Sequence, residues 1–327
     1  MSKLRSLWMV IFLGSVCAVA QQQVGNDRNL EEERKGSYLS LSGKIGSSGL
    51  IYKLHSPEEK GSRSNKSGYG FDLTYSYFFN NHWGISTGVG ISHYASVGKL
   101  KGSITDKRYY NLGMLVDNDY DGRPKDFNLR ARLSNLVEKQ TTLFLDVPVM
   151  LTYQTRFGEE EKWGIYGSIG AKLQFPFSTR FKIRNGQNSE FNVSGFYVNI
   201  PEDLDMGAPS NPPVPQHGYG TITNPNSSLG WNDKGKLKMG VAGTAELGFI
   251  IGLGKETDLM IGGYVDYGLT NLKKSNKGLF TAPKVYHPHA DNKVGYGIKY
   301  NGMLNSDVTN KVKPVSFGGK IGIRFKL

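Results

Sequence analysis

The chain has one cysteine, Cys17, among its 327 residues. Cys17 lies in an N-terminal apolar run from Leu7 to Val19, which we expect to be removed, so the mature chain has no cysteine. Disulfides and thiolate chemistry are therefore excluded. The fold must be held together by hydrogen bonds and by the contacts between its side chains.

A second absence concerns long apolar runs. Beyond the N-terminal run no stretch of 18 apolar residues exists, and the mean hydropathy is negative, which excludes a bundle of membrane helices. It does not exclude a membrane barrel, because barrel strands are apolar only at every second residue. The 42 glycines disfavour helices, and the 18 tyrosines and 16 phenylalanines favour strands.

The N-terminus has the pattern of a secretory signal peptide. Lys3 and Arg5 precede the apolar run, and small residues at Ala18 and Ala20 suit cleavage after Ala20. We expect residues 1–20 to be the signal peptide, residues 21–35 a polar periplasmic tail, and residues 36–327 the folded domain. An uncleaved anchor helix is the alternative.

The formal net charge is +12, and loss of Lys3 and Arg5 leaves 12 − 2 = +10. The basic residues are scattered through polar segments and do not follow one helix, so we expect no nucleic-acid partner. Anionic lipid headgroups or surface polysaccharide suit such segments better.

Eight segments alternate between apolar and polar residues at period two, and each is long enough to cross a membrane. In the last segment, Phe317, Ile321, Ile323 and Phe325 share one face, and the other face carries glycines and cations. The predicted strands are 37–46, 68–79, 82–94, 140–155, 162–175, 236–253, 256–268 and 314–327.

The links between these strands alternate between short and long. The links near 80–81, 158–161 and 254–255 are short, and the other four are long. Short turns at one end and long loops at the other are typical of a bacterial outer-membrane barrel, whose long loops face outside. The predicted external loops are 47–67, 95–139, 176–235 and 269–313.

The predicted fold is all-β: an eight-stranded, antiparallel, up-and-down transmembrane barrel in the bacterial outer membrane. An even strand number lets the last strand pair with the first, so no backbone edge is exposed to lipid. A soluble lipocalin-like barrel, with its apolar face inward, is the alternative. Charges on the Gly-rich face and aromatics near the strand ends favour the membrane; these aromatics are Trp83, Tyr153, Trp163, Tyr267 and Phe325.

Three stretches carry a family resemblance: Leu145 to Tyr153, Tyr264 to Leu272, and the closing strand Phe317 to Leu327. They resemble the PorT-like outer-membrane β-barrel family, which is similar in architecture to the OmpA membrane domain. The resemblance implies a fold and a location but no reaction. This chain has longer external links than a minimal member, and no peptidoglycan-anchoring domain is expected after the barrel.

If the Gly-rich face lines the lumen, its charges must pair, because an unpaired buried charge costs several kcal/mol. We predict a closed ion-pair network that plugs the lumen, so that the protein is not a general diffusion porin. The alternative is that some of these charges contact water near the barrel mouth. The predicted members are Lys44, Asp72, Asp146, Lys172, Glu246, Asp266, Lys320 and Arg324.

No catalytic, cofactor-binding or metal-binding residues are predicted. His93 and Ser96 at the outer rim are the best candidates for lipid hydrolysis, but no third group follows at a recognisable spacing. His287, His289 and Asp291 could bind a metal, although a solvated polar loop explains them better.

The leading hypothesis is therefore a non-enzymatic envelope scaffold whose external loops bind surface ligands or assist an export machine. The alternatives are a lipid-modifying rim enzyme (an acyl hydrolase) and a narrow solute channel.

Overall fold

The computed structural model describes most of the chain after the N-terminus: residues 34–54, 60–105, 110–116, 124–157, 162–184, 190–197, 232–254, 256–275, 277–281 and 299–327. The predicted signal peptide, nearly all of the predicted tail, and parts of the long links lie outside these residues.

Within the described residues the chain forms thirteen β-strands and one short 3-10 helix, Met303–Asn305. The strands are β1 (Gly36–Leu54), β2 (Lys60–Phe78), β3 (Trp83–Thr105), β4 (Tyr110–Val116), β5 (Pro124–Phe157), β6 (Trp163–Arg184), β7 (Glu190–Tyr197), β8 (Asn232–Lys234), β9 (Gly240–Gly252), β10 (Thr257–Gly268), β11 (Phe280–Thr281), β12 (Lys299–Tyr300) and β13 (Thr309–Lys326). Among these residues, no helix is both long enough and apolar enough to cross a membrane.

Eight of these strands close into a ring in which every neighbouring pair is antiparallel. The order around the ring is β1, β2, β3, β5, β6, β9, β10, β13, and β13 returns to pair with β1. Tyr38 at the start of β1 lies opposite Lys326 at the end of β13. The predicted eight-stranded antiparallel barrel is thereby confirmed.

The barrel is taller than the sequence pattern predicts. β5 runs for 34 residues, whereas about 9–11 residues cross a bilayer. The prediction that 47–67, 95–139 and 176–235 are loops throughout was wrong, because β1, β2, β3, β5 and β6 continue far into them. β4 and β7 add to the upper part of β5, and β8 adds to that of β6. We call this upper part the outer extension.

The outward face of the ring is apolar. Ile45 is 69% exposed and Leu247 is 70% exposed, and the predicted girdle residues Trp83, Trp163 and Tyr267 also point outward. So much exposed apolar surface is stable only against lipid, so the soluble alternative with its apolar face inward is excluded. The end with the short turns faces the periplasm by the asymmetry of such barrels, and we call it the inner end.

The inside of the ring changes character along its height. Charged and hydroxyl side chains fill the inner part, and an apolar cluster fills the outer part. We call this cluster the outer core; its members are Leu50, Tyr52, Tyr94, Leu100, Leu136, Phe144, Phe181, Leu237, Leu272, Leu279, Phe280, Tyr300, Met303, Leu304 and Val312.

The described parts of the last long link fold into the barrel. We expected 269–313 to face outside, but Leu272, Leu279 and the Met303–Asn305 helix are buried in the outer core. Because the barrel wall extends outward, these apolar side chains can be buried inside it, which removes them from water and is favourable. A loop outside the barrel would leave them exposed.

Candidate functional site

The lowest charged group of the lumen is centred on Arg324, whose side chain is almost fully buried. Arg324 Nη2 donates to Asp258 Oδ2 at 2.7 Å, and Nη1 donates to Gln154 Oε1 at 2.9 Å. Arg156 Nη2 contacts the same Asp258 oxygen at 2.5 Å. The guanidinium carbon of Arg324 lies 4.6 Å from the ring centre of Tyr38, a distance typical of a cation–π contact. Two cations therefore share one carboxylate at the inner end.

Two separate ion pairs lie above this group. Lys320 Nζ is 2.6 Å from Glu246 Oε2, and Lys44 Nζ is 2.7 Å from Asp72 Oδ2. Lys44 also lies over the ring of Tyr264, at 5.4 Å from its centre. Every second residue of a strand points to the same face, so Lys44 faces the lumen together with Ser40 and Ser42 of β1.

The highest charged group is centred on Lys172. Lys172 Nζ donates to both Asp266 oxygens at 2.8 Å and lies 3.8 Å from Asp146 Oδ2. Ser92 Oγ donates to Asp146 Oδ2 at 2.6 Å, and Gln174 Nε2 donates to the other oxygen at 3.2 Å. The Tyr94 hydroxyl also donates to Asp266 Oδ2, at 3.5 Å. One cation and three neutral donors thus serve two buried carboxylates.

A polar cavity of about 50 Å³ lies among these groups, with room for a few water molecules. Its lining includes Ser42, Asp72 and Tyr166. Ser42 Oγ, Asp72 Oδ1 and the Tyr166 hydroxyl have no hydrogen-bond partner among the described residues. Buried polar atoms of this kind are normally satisfied by water, so we expect a small hydrated chamber in the lumen.

The structure brings seven of the eight predicted lumen charges into contact with one another: Lys44, Asp72, Asp146, Lys172, Glu246, Asp266 and Lys320. They form separate groups at successive heights, where we expected one network. Arg324 instead pairs with Asp258, which sequence reasoning missed, as it missed Arg156. The alternation could have identified both residues. Asp258 lies an even number of positions from Asp266 on the same strand, and Arg156 lies an even number from Asp146, so each shares the lumen-facing side of its strand.

The outer core contains one fully buried carboxylate, Glu138 on β5. Gln140 Nε2 donates to its Oε1 at 2.7 Å, the Tyr300 hydroxyl donates to Oε2 at 2.5 Å, and the Met303 backbone N–H donates to Oε2 at 3.0 Å. No lysine or arginine among the described residues forms an ion pair with it. Glu138 therefore joins the barrel wall to the last link by hydrogen bonds alone.

The electrostatics of this site follow from its burial. Burial raises the pKa of Glu138 above its ordinary value of 4.5, and the hydrogen bonds from Tyr300, Gln140 and Met303 lower it in part. Burial also raises the pKa of the Tyr300 hydroxyl, and the nearby Glu138 carboxylate raises it further. Tyr300 consequently stays protonated as the donor.

A glycine makes room for the link inside the wall. A Cβ atom at Gly98 of β3 would collide with the Tyr52 hydroxyl and with Met303 Sδ. Tyr52 donates to that sulfur at 3.8 Å, so the backbone of β3 approaches both side chains closely. Only a residue without a side chain lets the helix at Met303–Asn305 sit against this part of the wall.

His93 and Ser96, the candidates for a rim hydrolase, point to opposite faces of β3. The His93 ring stacks on outward-facing Tyr69 with ring centres 4.7 Å apart. Ser96 is fully buried in the lumen and donates to Gln140 Oε1 at 2.9 Å. A histidine cannot act as base for a serine on the other side of the wall.

Metal binding is equally limited. No group of three or more His, Cys, Asp or Glu side chains within the described ranges could hold a metal ion. His287, His289 and Asp291 lie outside the described residues.

A closed antiparallel ring with an apolar outer face and a charged lumen defines a transmembrane β-barrel. The outer membrane protein beta-barrel domain family matches residues 20–274, more than half of the chain, and the chain belongs to this family. It is a protein of the bacterial outer membrane.

Three solved structures to which the chain is similar are surface or outer-membrane proteins by name. OprG from Pseudomonas aeruginosa is 12% identical with a TM-score of 0.33, and the alignment covers 90% of this chain and 97% of that chain. Neisserial surface protein A is 10% identical with a TM-score of 0.30, covering 90% and 98%. Ail of Yersinia pestis is 13% identical with a TM-score of 0.29, covering 89% and 99%. No curated protein shows significant similarity to the chain.

Proposed function

We propose that the protein is a non-enzymatic scaffold of the outer membrane whose lumen is closed to solutes. The observation that carries this proposal is the filling of the lumen along its height. Four groups of paired charges occupy the inner part, and the outer core, with the described part of the last link, occupies the outer part. An eight-stranded barrel leaves an interior that side chains fill, and the cavity of about 50 Å³ is too small for a nutrient.

A planar-bilayer recording tests the closed lumen. The refolded protein, checked for folding by heat-modifiable gel migration, should give no steady openings in a bilayer. A general porin inserted under the same conditions serves as the positive control. Steady openings of nanosiemens size would refute the proposal and favour the narrow solute channel.

Cysteine accessibility provides a control within the chain, because the predicted mature protein has no thiol of its own. Ser62→Cys lies on the exposed wall of the outer extension, and Ser168→Cys lies beside the lumen cavity. A membrane-impermeant thiol reagent added to intact cells should modify Ser62→Cys and leave Ser168→Cys unmodified. Equal modification of both would show an open path from outside.

We place the protein's recognition function on the outer extension and its links. The long strands carry the outer extension well above the membrane-spanning part, and functional residues of scaffold proteins concentrate in the connections that such strands position. The finer assignment, a PorT-like barrel that binds a surface ligand or assists export, is supported by the resemblance of the segments now found in β5, β10 and β13. An acyl hydrolase is disfavoured by the opposite orientations of His93 and Ser96.

A further inference from the structure

A segment of the last link is attached to the inside of the barrel wall through Glu138. This segment, which we call the anchored segment, is residues Lys299–Asn305 and comprises β12 and the short helix. The Tyr300 hydroxyl and the Met303 backbone N–H both donate to Glu138, and both residues are at most 2% exposed. The third donor, Gln140, belongs to β5 itself. Glu138 therefore accepts two hydrogen bonds that join the anchored segment to the wall.

The wall around Glu138 keeps its own backbone pairing. The ladders of β5 with β3 and of β5 with β6 both extend past Glu138. The anchored segment contacts this wall with its side chains. The Tyr300 ring packs edge-on against Phe181 with ring centres 5.6 Å apart, and the Tyr52 hydroxyl donates to Met303 Sδ. The anchored segment can therefore leave the lumen without breaking the ladders of β3, β5 and β6.

The charge of Glu138 decides whether it can stay buried with the anchored segment. A buried carboxylate is costly unless a cation pairs with it, and the donors described around Glu138 are two side chains and a backbone amide that are all neutral. A protonated carboxyl group has no charge and still accepts hydrogen bonds. Ionised Glu138 is better solvated by water, which reaches it when the anchored segment leaves.

The surroundings of Glu138 assign the titration to this residue. Among the side chains that the structure describes, the titratable groups that face it are Tyr52 of β1 and Tyr300 of the anchored segment. Burial raises the pKa of both hydroxyls, so both stay neutral while Glu138 titrates. β3 and β6 place Gly98 and Ile183 opposite Glu138, and the short helix has no titratable side chain. The nearby cations point away from the lumen or bind elsewhere: Lys99, Lys139 and Lys182 alternate with buried residues of their strands, and Arg63 donates to Asn65 and to the Leu50 carbonyl.

We propose that Glu138 is a proton-controlled latch: protonated Glu138 holds the anchored segment inside the barrel, and ionised Glu138 releases it. Release exposes lumen-facing aromatic side chains of the outer core, among them Tyr94, Phe144 and Phe181. The paired charges of the inner part remain below them. The latch goes beyond the proposed scaffold function, because it gives the outer end of the lumen an apolar surface whose exposure depends on pH.

Cysteine labelling of the purified mature protein in micelles, between pH 5 and pH 9, tests the latch. Leu304→Cys places a thiol in the anchored segment, where the side chain is 1% exposed, and Ser62→Cys on the exposed wall is the matched control. The ratio of their labelling rates corrects for the pH dependence of the thiol itself. This ratio should rise by up to ~10-fold for each pH unit above 4.5 until the folded pKa of Glu138 is reached, and then level off.

Three further variants make the test decisive. Glu138→Gln keeps the acceptor without the charge, so the ratio should stay low and change less than about twofold over the pH range. Tyr300→Phe removes one donor and should raise the ratio at pH 5 roughly two- to tenfold. Ser168→Cys, beside the lumen cavity, should stay unlabelled at every pH. Heat-modifiable migration must show that each variant folds.

Three results would overturn the latch. The first is a ratio that does not change with pH when Glu138 is present. The second is an unchanged pH dependence in Glu138→Gln, which would assign the titration to another group. The third is labelling of Ser168→Cys in parallel with Leu304→Cys, because the whole barrel would then open and not the anchored segment alone.

Discussion

The inner and outer parts of this barrel have the same wall but different fillings. Below Tyr94 the lumen contains Lys44, Lys172, Lys320 and Arg324, each in contact with a carboxylate. From about the level of Tyr94 upward it contains the fifteen residues of the outer core, Tyr94 included, and the buried Glu138, which has only neutral donors.

The difference follows from what surrounds each part. In the membrane the apolar residues of every strand point to lipid, so the alternate residues that face the lumen are polar and must satisfy one another. In the outer extension the outside is water, so the pattern inverts: Lys99, Arg180 and Lys182 point out, and Leu100 and Phe181 point in. β6 also has a bulge between Pro176 and Ser178, the residues opposite Phe144 and Leu143. Before the bulge the even-numbered residues of β6 face the lumen, and after it they face outward.

The largest effect should come from removing the cation of the highest charged group. Lys172→Ala leaves Asp266 without its cation and Asp146 with neutral donors only, which should lower the free energy of unfolding by about 3–5 kcal/mol. Urea titration in micelles measures this loss. The double variant Lys172→Met with Asp266→Leu should recover much of it. A loss below about 1 kcal/mol would mean that water screens the charges around Lys172 as effectively as at a surface, contrary to the direct contacts between Lys172 and the two carboxylates.

An intermediate effect is expected from the outer core. Leu136→Ala removes a side chain that is 1% exposed and should cost about 2–5 kcal/mol, with loss of amide protection concentrated in the outer extension. Val137→Ala, the next residue on the outward face of β5, is the control and should cost less than about 1 kcal/mol. Equal costs would show that the two faces are filled alike.

The smallest effect should be a pH dependence of the last link. The pKa of Glu138 is raised in the folded protein, so its stabilising contribution is complete below about pH 4.5 and declines as pH rises through the folded pKa. Exchange protection of the Met303 amide, corrected for the intrinsic rate, should therefore fall as pH rises. Glu138→Gln keeps an acceptor for that amide and should abolish the dependence. Persistence of the same slope in Glu138→Gln would assign it to another group.

Several features could be predicted because they depend on local alternation. The alternation of apolar and polar residues predicted that Lys44, Asp72 and Lys320 share the lumen face with the residues they pair with. The number of strands and the lengths of the links predicted the closed ring. The ends of the strands could not be predicted. In the outer extension the polar face points outward and the apolar face inward. A strand predicted from a continuous outward apolar face therefore ends at the membrane surface, and the predicted ends of three strands fall near residues 46, 94 and 175.

The ion-pair partners of the lumen charges could not be predicted from the sequence either. Asp258 and Arg156 have the parity of lumen residues, but their approach to Arg324 depends on the stagger of β5, β10 and β13 around the ring. The burial of Met303 against Gly98 joins residues about 200 positions apart, and no local pattern specifies such a contact.

The sequence by itself determined the class of fold, because alternation, strand number and turn lengths are properties of neighbouring residues. The tertiary structure decided which charges meet, how far the wall rises above the membrane, and that the described part of the last link enters the barrel. Those outcomes depend on the register at which eight strands close into one ring, and closure is a condition on the whole chain that no single segment encodes.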